Sequence, residues 1–208
     1  MTSAAELRGD HDVTDVPSIV RGSVVLGLLE AGVVLLFSLV NRLLDGPVET
    51  MLLAIILLAG AAAVTLLPGT WTRPRTIEGI AGAAGIGLGA AFVFLLVDVA
   101  LLQNIGTYTN RWWEIGGSNW WYHPIWWMAG TFLPWMGAWI LANQIGRNGR
   151  TSAVAALGTA LVFAVVAAVV AVLVGFPGAR WNLQTFGVAF LPGLALATAL
   201  SAMGTRRA

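Results

Sequence analysis

Apolar residues run along this chain in long unbroken stretches, without the alternation of a half-buried strand or the single stripe of a surface helix. A helix needs about twenty mostly apolar residues to cross roughly 30 Å of hydrocarbon. Six segments reach that length: about Ile19–Val40, Glu49–Leu67, Ile77–Gln103, Trp120–Asn143, Ser152–Gly175 and Thr185–Met203. The breaks between them, such as "NRLLDGP", "PGTWTRPRT" and "GFPGARWNLQ", carry turn residues. The pattern predicts an all-α polytopic integral membrane protein with six transmembrane helices. Residues 1–18 are expected as a flexible cytoplasmic tail, 19–203 as one six-helix domain, and 204–208 as a short second tail. The first eighteen residues lack the apolar core of a cleaved signal peptide, so the first span is expected to act as the anchor.

Basic residues in alternate loops set orientation. With the N-terminus inside, the inner set is Arg8, Arg21, Arg73, Arg75, Arg147, Arg150, Arg206 and Arg207, and the outer set is Arg42, Arg111 and Arg180. Eight against three predicts both termini on the cytoplasmic side. The outer arginines are also 69 residues apart in each step, with "NRLLDG" and "NRWWEIG" sharing an acid three residues after the arginine. Three hairpins of equal length would give this spacing with or without a common ancestor.

Composition agrees with a membrane location: 58% of the 208 residues are hydrophobic and 10% are charged, against about a quarter charged in soluble domains. A net charge of +1 gives no reason to expect nucleic acid as a partner. There is no cysteine, which excludes disulfides and thiolate metal sites. All eleven basic residues are arginine, which excludes lysine Schiff-base chemistry and any pigment bound that way. The lysine-free, Ala/Val/Gly-rich composition suggests a bacterial cytoplasmic (inner) membrane. The implied surroundings are the lipid bilayer and other integral membrane subunits or a second copy of the chain.

Ten tryptophans punctuate the chain, eight of them between residues 111 and 139. Indole prefers the membrane–water interface because its ring is apolar and its N–H wants a partner. Trp112, Trp113, Trp120, Trp121 and Trp181 fall at the outer boundary of the predicted topology, and Trp71 and Trp139 near the inner one. Trp126, Trp127 and Trp135 lie deeper in the fourth span. Trp121, Met128, Trp135 and Trp139 are spaced by seven, seven and four, which predicts an aromatic ridge on one helix face. Such a ridge could meet a helix, a lipid or a planar pigment.

Candidate chemistry is sparse. Glu30 sits near the middle of the first span, where a charge costs at least about 2.5–3.5 kcal/mol. It should therefore face the protein interior, be protonated or find a partner, and no basic residue lies at its depth. Asp98 lies near the end of the third span, and His123 one turn into the fourth, so an Asp98–His123 pair at similar depth is expected to be feasible. His123 could instead ligate a pigment or haem, but no second histidine lies in a span, so no cofactor is firmly implied and no metal set is visible. Glu49 and Glu78 read as helix-start acids. No catalytic motif is present: HExxH and GxSxG are both absent.

Two functional classes follow. In the first, the protein is a non-catalytic subunit packed against partner helices. It would use the small-residue rows Ser23/Gly27/Ala31, Gly79/Ala83/Gly87/Ala91 and Ala81/Gly85/Gly89, which allow close helix approach, most readily within the bundle itself. In the second, the protein is a small proton- or cation-coupled transporter using Glu30 and Asp98.

Overall fold

The computed structural model describes the backbone of residues 12–108 and 119–203, and the side chains of those residues except 119–128 and 183–184. Every regular element among them is helical. In chain order they are α1 (Val16–Leu43), α2 (Pro47–Thr72), α3 (Ile77–Val97), α4 (Asn119–Asn148), α5 (Ala153–Leu173) and α6 (Leu183–Ala202), with α3 prolonged by a π-helical turn, Asp98–Leu102. Five of these helices, all but α4, are long and apolar enough to cross a membrane. The described residues of α4 do not add a sixth span, although the helix is 30 residues long.

The helices outrun the hydrophobic stretches because polar residues cap them. Asp15 accepts a hydrogen bond from the Ser18 N–H at 3.1 Å, and Pro17 suits the first turn, so α1 starts at Val16. Helix α1 thus begins before residue 19, and Asp12, further back, is fastened to the start of α3. At the other end of the next span, α2 runs through Pro68 to Thr72 although "PGTWT" reads as a break. Ser152 and Asn182 cap α5 and α6 through the N–H groups of Ala155 and Thr185.

The chain divides into two compact units. The first comprises Asp15–Pro68 and Ala84–Pro134. Within it α1 packs alongside α3 in parallel: Ser23 meets Gly89, Gly27 meets Ala90 and Val93, and Ser38 donates to the Thr107 carbonyl at 2.5 Å. Ala31 and Val34 of α1 join Phe94, Leu95 and Leu102 in a buried apolar cluster. At Gly87 the α3 backbone runs against Gly130 and Pro134 of α4. Thus Ser23, Gly27, Gly87, Gly89 and Ala91 make contacts inside the unit, whereas a Cβ at Gly85 would meet nothing within 4 Å.

The second unit comprises Met1–Thr14, Gly69–Ala83 and Trp135–Ala208. Ile80 and Ala83 pack on Ala138, with Trp139 and Ala142 beside them. A small-residue row in α5, Ala156, Ala160 and Ala164, is buried, and Gly193 of α6 presses on the Ala164 backbone. Asn143 donates to the Ser201 hydroxyl at 2.8 Å, and the Gln144 side chain pairs with the Ser152 backbone at 2.7 and 3.3 Å.

Asp12 also belongs to the second unit. Its carboxylate accepts from the N–H groups of Arg75, Thr76 and Gly79 and from the Thr76 hydroxyl, at 2.5–3.0 Å, so it caps the start of α3 from the N-terminal segment. Burial pushes this carboxyl up, but the Thr76 hydroxyl and the three backbone donors outweigh it and hold it below its ordinary value of 3.8. A depressed folded pKa contributes stability that is present above the unfolded value and is lost as pH falls through the folded one. Asp12→Asn is therefore expected to lower the melting temperature at neutral pH, with the deficit shrinking as pH falls below the ordinary value of 3.8. Thermal melts of the detergent-solubilised protein across that range check it.

Candidate functional site

Several buried polar side chains of the unit that holds α1 and most of α3, namely Ser38, Asn41, Asp98 and Thr107, lie near the ends of these helices or just beyond them. Asp98 opens the π-helical turn and is 0% exposed. Its two oxygens accept from different donors: Tyr108 Oη bonds Oδ1 at 2.5 Å, and Gln103 Nε2 bonds Oδ2 at 2.5 Å. The π turn makes the second bond possible. The Gln103 N–H reaches back five residues to the Asp98 carbonyl, which stacks residue 103 over residue 98.

After Leu102 the chain folds back. Gly106, at φ +69°, takes the left-handed position, with its N–H on the Gln103 carbonyl and the Thr107 N–H on the Leu102 carbonyl. This is a Schellman closure, which L side chains enter only at a cost. Gly106→Ala is expected to lower stability by about 1 kcal/mol, visible as a reduced melting temperature. The returning segment is tied to α1 twice: Arg42 donates to the Gly106 carbonyl, and Ser38 to that of Thr107. Tyr108 packs on the cluster of Ala31, Val34 and Phe94. Thr107 is buried, and its hydroxyl has no hydrogen-bond partner.

Glu30 lies in the same unit, 3% exposed, with Oε2 buried and unpartnered. It shares the α1 face of Gly27 and Val34. The Ser23–Gly89 and Gly27–Ala90/Val93 contacts set the register, which puts Glu30 level with residues 93–96 of α3. Asp98 is then about one helical turn, roughly 5 Å, further along. Two buried carboxyls thus occupy successive levels, one fully hydrogen-bonded and one not.

The other predicted residues scatter. Glu49 is more than a helix-start acid: it is buried, and Asn41 donates to it at 3.0 Å across the α1–α2 turn. Glu78 sits in the first turn of α3, with its carboxylate 2.5 Å from the Thr76 hydroxyl, whose single proton it shares with Asp12. Trp135 is 41% exposed while Trp139 is packed inward, so these two members of the predicted ridge do different things. Trp181 is 71% exposed. Arg42 holds the returning segment, and Arg180 lies exposed between α5 and α6. The side chains of His123, Trp120, Trp121, Trp126, Trp127 and Met128, together with Arg111, Trp112 and Trp113, lie outside the described residues. So does the histidine half of the Asp98–His123 pair; each oxygen of the aspartate half accepts one hydrogen bond, from Tyr108 or Gln103.

Sequence reasoning missed Gln103 and Tyr108 as partners of Asp98. The available signal was a tyrosine, one of two in the chain, just beyond a span that ends in an acid and a glutamine. Among the described residues no group of three or more His, Asp or Glu could hold a metal. A recess of about 380 Å³ between α5 and α6, lined by residues such as Ala171, Phe176, Val188 and Pro192, has no titratable lining residue and offers nothing for acid–base chemistry. Of the three buried carboxyls among the described residues, Glu30, Glu49 and Asp98, it is Glu30 and Asp98 that lie on successive levels of α1 and α3. No protein-family model, curated protein or solved structure matches the chain.

Proposed function

We propose that this protein moves protons, or a small cation coupled to them, across a membrane through the interior carboxyls of Glu30 and Asp98. The observation that carries this reading is Glu30: a carboxyl near the centre of a membrane-type helix, buried within its own unit, with Oε2 left without a partner. An intramembrane acid is costly and is usually retained for ion or proton handling. Burial also weighs against the other use of Glu30, pairing with a separate subunit, because a side chain 3% exposed offers little to an outside helix.

The polar groups around Asp98 add the second half of a relay. Tyr108 and Gln103 present hydrogens to its carboxyl, and the unpartnered Thr107 hydroxyl lies beside Tyr108 in sequence. On the basic-residue bias both termini are cytoplasmic, which would put Asp98 nearer the outer surface than Glu30. Composition suggests a bacterial inner membrane. The test is reconstitution of the purified protein alone into liposomes holding a pH-sensitive dye. Collapse of an imposed proton gradient faster than in protein-free vesicles supports the reading, and equal rates reject it.

A packing subunit is the second reading, favoured by α5, which leaves most of its apolar surface uncovered. The small-residue rows argue less for it, since Ser23, Gly27, Gly87 and Gly89 make their contacts inside one unit. Native mass spectrometry of the gently extracted protein separates the two: larger polypeptides retained in fixed ratio support the subunit, and a lone chain or small homo-oligomer does not.

A further inference from the structure

The segment Gln103–Tyr108 does more than end a helix. Its outer side, Gln103 to Gly106, is exposed, while Thr107 is buried and Tyr108 is half-buried against the α1–α3 cluster. Four side-chain hydrogen bonds fasten it: Arg42 to the Gly106 carbonyl, Ser38 to the Thr107 carbonyl, and Gln103 and Tyr108 to the Asp98 carboxyl. Two of the four therefore end on the buried acid itself. A strap whose own fastening is the group it covers can lift only by uncovering that group.

From this geometry we propose that Gln103–Tyr108 is a strap that gates access to Asp98, with the Tyr108 hydroxyl as its catch. The proposal rests on the proton-handling reading above, for which it supplies the point of entry. Tyr108 acts as a positioning residue: its ring stays on the apolar cluster while its hydroxyl holds the carboxyl. Lifting the strap also frees the Thr107 hydroxyl, which has no partner in the closed arrangement. The Gly106 turn, at φ +69°, sits where the segment reverses direction, which makes it the natural pivot.

The test is chemical access. Full-length protein in liposomes is treated with a water-soluble carbodiimide and an amine trap, and labelling of each carboxyl is read by peptide mass. Wild-type Asp98 is expected to label slowly. Tyr108→Phe keeps the ring and removes the catch, and should raise the Asp98 rate by up to about tenfold, the population change expected from losing one hydrogen bond. Ser38→Ala, at a separate fastening, should raise it in the same direction while Glu30 stays unlabelled. Unchanged Asp98 labelling in both variants overturns the gate. So does joint labelling of Asp98 and Glu30 with a lowered melting temperature, which would mean that the unit simply opens. Proton flux measured in the same vesicles keeps the two ideas apart. Absence of flux from wild-type protein defeats the transport reading whatever the labels show, and flux without any labelling response defeats only the strap.

Discussion

Gly87→Val is expected to abolish recovery of folded protein, and Gly87→Ala to lower its stability by about 1–3 kcal/mol or more. A Cβ at Gly87 would lie 1.9 Å from the Gly130 carbonyl oxygen and 2.3 Å from Cγ of Pro134. Neither obstacle can rotate away, because one is backbone and the other is a ring fixed to it. The α3 and α4 backbones would have to separate, and the packing that drives helix association in lipid weakens with distance. Gly85→Ala is the matched control on the same helix. It meets nothing within 4 Å and should be neutral or stabilising by up to about 1 kcal/mol, the helix-propensity gain of alanine over glycine. Thermal melts of the two alanine variants side by side check the contrast. Equal melting temperatures would mean that the α3–α4 approach is not tight.

Replacing Asp98 carries the second large effect. Asp98→Leu takes the Asp98 acceptor from the half-buried Tyr108 hydroxyl, at about 1–3 kcal/mol, while the exposed Gln103 amide can turn to water. Removing the donor as well relieves part of this, so Asp98→Leu/Tyr108→Phe should be more stable than Asp98→Leu alone. Non-additivity of this kind marks a shared bond, and a double-mutant cycle measures it. Strictly additive melting-temperature changes would contradict the Tyr108–Asp98 bond.

The sequence showed the class of the fold, because apolar runs of membrane length need no tertiary information to be recognised. It was less reliable at helix ends. α1 begins at Val16, where Asp15 and Pro17 form a start signal outside the apolar run, and α2 passes through Pro68 because the structure continues the helix there. The rows around Gly27, Gly87 and Gly89 were legible as close-approach surfaces, and their partners lay on helices of the same chain. In α5 the row Ala156, Ala160, Ala164 was hidden in a segment so uniformly apolar that no face stood out.

Of the candidate site, Glu30 and Asp98 were visible because charge is rare in such segments. Their surroundings were not. Gln103 reaches Asp98 through a five-residue step that a 3.6-residue period does not anticipate, and Tyr108 reaches it only after the chain reverses at Gly106. The pairing of Asn41 with Glu49 depends on the depth at which α1 and α2 meet, which hydropathy does not encode.

The central claim, that the protein works through its unpartnered interior acid, is tested most directly by Glu30→Gln. Glutamine keeps the shape and some hydrogen-bonding capacity but cannot take up and release a proton. Wild-type and variant protein should be reconstituted at equal density and compared for proton flux and for melting temperature in one preparation. The account predicts that Glu30→Gln removes the flux while the melting temperature stays the same or rises. Undiminished flux from a well-folded Glu30→Gln protein would contradict it.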